Sequence, residues 1–372
     1  MKKITNRIIL IIFCLFIAIT MILTLALPKK EYSEFENRYL QKTPTLSFAN
    51  LKSGKLTSDI EKYFSDHIVL RDKWVGLNSL YQFITGKGEN GGVFYADNSL
   101  IKKSSSITDE AMEKKAGYIN RLCENVDVPV YFGIIPSSAS IWDYKLKSNT
   151  YTSDEKEIIE KAYSLSDAKS VDLYSALEEN KSEDIYYRTD HHWTSLGAYY
   201  GANAIFSAME IESINISDYQ KTTVCEDFSG TSRSSSGAFW VKNDSIDIYI
   251  PESGIEVTSY SGTIASEGKL YNYDKLDIKD KYTFFLGGNK PLCIIKSDNS
   301  DSDKKVLIIR DSYTDSLAPF LTERFAEIHL FDLRYSKMSI KDYVKENNID
   351  TVLVLYSFDE FCDDTNFVMM IK

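Results

Sequence analysis

The sequence predicts an α/β fold, a parallel sheet flanked by helices, on three observations. Short apolar runs recur at 128–135, 305–310, 327–333 and 351–356. The run at 128–135 is nearly all apolar rather than alternating, as a strand buried on both faces is. Between them lie stretches whose apolar residues fall at helical spacing, so the C-terminal part reads β-α-β-α-β.

The elements follow in chain order. Residues 8–27 are apolar apart from Thr20 and Thr24, carry no charge, and are long enough to cross about 30 Å of hydrocarbon as a helix. Lys2, Lys3 and Arg7 precede them and hold that end in the cytoplasm, which places the rest of the chain outside. Residues 1–29 therefore read as a membrane anchor; a cleaved signal peptide, with Thr24 and Ala26 as the small residues before the cut, is the alternative. Either way the body is exported. Residues 30–106 read as a linker and an N-terminal helical segment, with one helix over 60–80 (Ile60, Phe64, Ile68, Val75, Leu80) and a short strand at 93–95.

The main domain is expected over 107–372. Thr108 caps a helix whose face is Met112, Ala116, Ile119 and Cys123, followed by the 128–135 strand. A second helix near 154–165 precedes an apolar run at 171–177, and a third begins after Ser195. Residues 212–300, rich in Ser, Gly, Asp and Thr between short β-prone runs at 246–250 and 292–295, read as a β-rich insertion. The closing unit has helices at 315–325, with Pro319 near its first turn, and at 339–347.

The formal net charge of -11 argues against a nucleic-acid partner and against a body lying on anionic lipid. Of five cysteines, Cys14 belongs to the anchor; Cys123, Cys225, Cys293 and Cys362 have no zinc-ligand spacing and are either free or paired in one or two disulfides. No metal and no cofactor is expected.

In open parallel sheets ligands bind beyond the carboxyl ends of the strands, which directs attention to Asp311 and Ser312 after the 305–310 strand. Ser312 is placed as a nucleophile there; the plainer reading is that both residues cap the next helix. Thr189-Asp190-His191-His192-Trp193 holds two of the four histidines. If that segment is extended, Asp190 and His192 share one side and His191 takes the other. Asp190 would then orient the His192 ring, leaving its second nitrogen to take the Ser312 proton. A metal site of Asp190, His191, His192 and His329 is a remote alternative, because adjacent histidines in a strand diverge. Gly288 and Asn289, in Phe285-Leu-Gly-Gly-Asn289, are candidate oxyanion donors or an ordinary turn. Arg310, Tyr313 and Arg334 are candidate substrate contacts, with an Arg334–Asp332 ion pair the competing reading for the last.

The Asp-His-His-Trp segment, its Thr-Ser-Leu-Gly-Ala-Tyr-Tyr continuation, and the Arg310-Asp-Ser-Tyr block resemble the DHHW protein family. That family is in turn similar to alginate O-acetylation proteins. The resemblance implies a circularly permuted SGNH hydrolase-like fold with Asp190 as acid, His192 as base and Ser312 as nucleophile. It implies O-acetyl transfer to a polysaccharide beside a membrane-bound O-acyltransferase that donates the acyl group. A carbohydrate esterase or a non-catalytic glycan-binding protein are the alternatives. Arg310 departs from the glycine that the resemblance leads one to expect before Asp-Ser.

Overall fold

The computed structural model describes residues 2–147, 150 and 152–371. Its contacts divide the chain into two units: Met1–Asn90 with Arg233–Trp240, and Gly91–Ser232 with Val241–Lys372.

The first unit is helical. Helix α1 (Lys2–Ala26) contains the one span among the described residues that is long and apolar enough to cross a membrane, Ile4–Ala26, with a mean hydropathy of 3.2. The single helix expected over 60–80 is two, α2 (Lys55–His67) and α3 (Arg71–Ile84). Between them Ile68 turns extended (ψ 137°) and Leu70 adopts a left-handed φ of 58°. The break is fixed from outside: Asp66, nearly buried, accepts from the Gln41 N–H at 2.8 Å and pairs with Arg38 at 2.5 Å, while the Val69 N–H donates to Thr24 Oγ1 at 3.1 Å. Apolar spacing continues across the break, so periodicity alone missed it.

The second unit is built on an eight-stranded sheet. Its elements in chain order are the hairpin β1 (Val93–Ala96) and β2 (Ser99–Lys102), α4 (Asp109–Asn125), β3 (Val130–Ile135), α5 (Glu155–Ser164), β4 (Lys169–Val171), α6 (Leu173–Glu179) and α7 (Ser195–Ala208). The hairpin β5 (Thr222–Phe228) and β6 (Asp244–Ile248) follows, then β7 (Ile255–Ser261), β8 (Ile264–Glu267), β9 (Leu292–Ser297), β10 (Lys305–Arg310), α8 (Thr314–Leu321), β11 (Glu327–Phe331), α9 (Ile340–Glu346) and β12 (Thr351–Ser357). The spatial order is β8-β7-β9-β11-β10-β12-β3-β4.

The five strands from β11 to β4 are parallel, and the three from β8 to β9 extend the sheet antiparallel. The sheet is therefore mixed, where the sequence suggested a parallel one. Part of the expected 212–300 insertion supplies that antiparallel edge, because hairpin-linked strands can add to a sheet without a crossover.

Capping explains most helix starts. Thr108, Asp154, Asp172, Thr194 and Ser339 each accept a backbone N–H in the first turn of their helices. Asp172 also cuts short the apolar run at 171–177: β4 ends at Val171 and α6 begins at Leu173. Pro319 is the sixth residue of the eight-residue α8, not a first-turn residue, and it has no N–H to donate back to the Asp315 carbonyl. Thr322 closes the end by donating to the Pro319 carbonyl at 2.6 Å.

Apolar clusters cover both sheet faces. One gathers Trp193, Phe206, Phe284, Ile308 and Leu317, the other Ile119, Phe132, Leu307, Val354 and Phe361. All five cysteines are free thiols. Glu155, 1% exposed, accepts from the Ser137 N–H at 2.8 Å and from the Ser137 and Ser104 hydroxyls at 2.5 Å each. Burial outweighs these donors and pushes its carboxyl from 4.5 up to about 7. Folded Glu155 is then protonated where unfolded Glu155 is ionised, so its contribution is complete below about pH 4.5 and is lost as pH rises through 7. Urea midpoints measured across that window should fall with pH, and the fall should be shallower in Glu155→Gln; equal slopes in the two proteins would refute this account.

Candidate active site

Two polar loops meet at the carboxyl edge of the sheet. The first, residues 188–192, is a turn held from several directions. Tyr186 and Trp193 form an antiparallel bridge across it, and the Tyr187 N–H donates to the His192 carbonyl at 3.1 Å. Asp244 accepts the Arg188 and Thr189 N–H groups at 2.9 and 2.8 Å and also the Thr189 hydroxyl. Trp193 is fully buried, its indole N–H shared between the Tyr313 carbonyl and Ser316 Oγ, both at 3.0 Å. Gly201 of α7 makes room for that ring: a Cβ there would lie 2.7 Å from it.

The second loop joins β10 to α8. Asp311, fully buried, bridges the end of β10 to the end of β12: one oxygen accepts the Tyr313 N–H at 3.0 Å, the other the Ser357 N–H and hydroxyl at 2.7 and 2.6 Å. These bonds set the sharp exit from β10 and leave Ser312, partly exposed, at the rim. The following helix contributes less than its position suggested, because the Tyr313 and Thr314 N–H groups both turn back to Asp311.

Between the loops runs one hydrogen-bonded chain. His192 Nδ1 lies 2.6 Å from Asp190 Oδ1, and His192 Nε2 lies 2.8 Å from Ser312 Oγ. An ionised carboxylate only accepts, so the proton between the first pair sits on Nδ1 and leaves Nε2 as an acceptor facing the serine. Asp190 Oδ1 also takes the His192 backbone N–H at 3.1 Å, while Oδ2 takes the Thr231 N–H and hydroxyl at 2.7 and 2.9 Å. Burial acts to raise the Asp190 carboxyl, but the two imidazoles and these donors together hold it well below the usual carboxylate range. Gly230 permits the approach: a Cβ there would fall 2.3 Å from the Asp190 Cβ. Tyr282 stacks flat on the His192 ring, centroids 3.7 Å apart at 9°, and its hydroxyl donates to the Ser312 carbonyl at 3.1 Å.

His191 does not diverge as an extended strand would require. The segment turns, so the His191 ring sits 3.9 Å from that of His192, with Nδ1 2.7 Å from Thr231 Oγ1. Burial, then the neighbouring imidazole, push His191 down to about 3. Ligand atoms of Asp190, His191 and His192 consequently lie within 4.8 Å of one another, which removes divergence as an argument against a metal. His191 Nδ1 already meets Thr231 Oγ1, and the His192 nitrogens engage Asp190 and Ser312 on opposite sides. His329 stands apart, buried in β11 with Nδ1 2.7 Å from the Tyr343 hydroxyl.

The remaining expected contacts are structural in their surroundings. Arg310, 1% exposed, points inward: Nη1 is 2.9 Å from Asp315 Oδ1, donates to Asn289 Oδ1 at 2.9 Å and lies 3.2 Å from the Asp311 carbonyl. Asn289 thus offers its carbonyl to Arg310, and Gly288 (φ 87°) lies in the turn before it. Tyr313, 4% exposed, donates its hydroxyl to the His191 carbonyl and braces the first loop against the second. Arg334 forms a two-bond fork with Asp332 at 2.9 and 2.8 Å. Sequence reasoning did not find Gly230, Thr231, Asp244, Tyr282, Asp315 or Ser357. None carries a local motif, since each acts through a partner between 30 and 90 positions away or, for Asp315, through an ordinary helix position.

The sequence profile of the DHHW protein family matches residues 85–331. No curated protein matches the chain. Among solved structures, a DHHW family protein from Eubacterium siraeum is similar with a TM-score of 0.66 and 25% identity, over 76% of this chain and 95% of that one. Bacillus cereus PatB1 with a sulfonyl adduct gives 0.63 and 21%, over 75% and 98%. A second PatB1 structure gives 0.60 and 20% over the same shares.

Proposed function

The chain belongs to the DHHW protein family, and from that premise and the site we propose that it transfers acyl groups, acetyl foremost, to a cell-envelope or secreted polysaccharide outside the cytoplasm. The observation that carries this reading is the single imidazole standing between a buried carboxylate and a rim hydroxyl. Ser312 Oγ attacks the carbonyl of an acyl donor as its proton passes to His192 Nε2. The imidazolium, supported by Asp190, returns that proton to the departing group and an ester forms on Ser312. A sugar hydroxyl then gives its proton to His192 and takes the acyl group, which restores the serine. The resemblance to alginate O-acetylation proteins supports acetyl as the group, a permuted SGNH-like arrangement as the scaffold, and a membrane-bound O-acyltransferase as donor. The exposed apolar helix α1 supports an anchored protein facing that donor.

Incubating the full chain with an activated acetyl ester and oligosaccharides tests this. Acetylated sugar should form, and an acetyl or sulfonyl group from a reactive probe should be recovered on Ser312; Ser312→Ala should lose both, about 10³-fold or more in rate. Release of free acetate alone would assign water as the acceptor and make the protein an esterase. Undiminished transfer by Ser312→Ala would defeat the proposal.

A further inference from the structure

Helix α3 carries two opposed faces within the first unit. On one, Gly76 and Ser79 pack against residues 233–240: Ser79 donates to the Ser236 carbonyl, and a Cβ on Gly76 would lie 3.2 Å from Phe239. On the other, Leu70, Trp74, Leu77, Tyr81 and Ile84 recur at helical spacing and are 41–72% exposed. Such a contiguous apolar stripe calls for an occupant.

Its position relative to α1 identifies one. The Trp74 ring meets Phe16 edge-on, centroids 6.2 Å apart. Phe16 lies ten residues before the end of α1 at Ala26, hence about 15 Å along the helix axis, half the thickness of a bilayer core. If α1 spans the membrane, Trp74 sits below the headgroups. The α2–α3 corner is tied to the same helix by the Val69–Thr24 bond, so α3 cannot stand clear of the bilayer while α1 crosses it. Charge agrees: residues 29–90 carry ten Lys or Arg against eight Asp or Glu, while residues 91–372 carry thirty against forty-six. The acidic excess that bars the body from anionic lipid is absent from this segment.

We infer that α3 lies in the outer leaflet beside α1, its Leu70–Ile84 stripe in contact with lipid acyl chains. The protein is thereby held by two hydrophobic elements rather than by one tether. The inference rests on reading α1 as a span, and the experiment separates the two claims.

Full-length protein is reconstituted in phosphatidylcholine–phosphatidylglycerol vesicles containing a lipid with a diazirine in mid-acyl chain, then irradiated and digested. Label is expected on peptides of both α1 and α3. In full-length Leu77→Asp/Ile84→Asp, α3 label should fall at least fivefold with α1 label unchanged. Label on α1 with none on α3 overturns the inference and leaves the anchor standing. Label on neither overturns both.

Discussion

Replacing Asp190 by asparagine should lower acyl transfer by about 10³- to 10⁴-fold while leaving the fold intact. Each Asp190 oxygen accepts one backbone N–H, from His192 at 3.1 Å and from Thr231 at 2.7 Å, and neither donor can reverse. An amide has a single carbonyl, so one of those donors must face an NH₂ group. The shorter Thr231 bond claims the carbonyl, and the amide NH₂ turns toward His192. There it donates to Nδ1, which moves the ring proton to Nε2 and points a hydrogen at Ser312 where a lone pair is needed. The imidazolium of each half-reaction also loses its buried counter-charge. Circular dichroism and unfolding midpoints should be close to wild type, while the rate of Ser312 acylation and of transfer falls. A rate within tenfold of wild type would mean that Asp190 neither sets the tautomer nor supports the charge.

The same carboxylate shows what the sequence could convey and what it could not. The pairing of Asp190 with His192 was legible, but for another reason than the one the fold uses. An extended segment would align residues two apart; instead Asp190 folds back onto the His192 N–H and ring together, the behaviour of Asp in a turn, and His191 stays alongside. The proximity of Ser312 rested on the rule for parallel sheets, and strands β10, β12 and β3 announced themselves because burial on both faces leaves an unbroken apolar run. Strand β7, Ile-Glu-Val-Thr-Ser-Tyr-Ser, lies near the exposed end of the sheet and alternates inward and outward, so its membership of the central sheet had no comparable signature. Thr231 opens a short helix, Thr231–Ser236, and Tyr282 lies in a 3₁₀ turn, Lys281–Phe284, and neither has a telling local sequence; only the folded chain brings them to Asp190 and His192.

Arg310 gives the second large effect, on stability. At the position where a glycine was expected, its guanidinium is fully buried against Asp315, which is itself buried. Burial pushes the Asp315 carboxyl up to about 6 despite Arg310 at 2.9 Å, so desolvation exceeds what the pair returns. Among the described residues nothing hydrogen-bonds Arg310 Nε or Nη2, which adds to the cost of keeping the cation inside. Two outcomes follow from that balance. Asp315→Ala at pH 8 should destabilise by about 3–5 kcal/mol, because the cation remains in the core without its paired carboxylate, held by the Asn289 and Asp311 carbonyl oxygens. Arg310→Met with Asp315→Leu should recover most of that loss or exceed wild type, since two apolar side chains remove both charges from the interior. Urea unfolding of the three proteins decides it. A single variant within 1 kcal/mol of wild type, or a double variant no better than the single, would show that the pair stabilises through a network wider than its two charges.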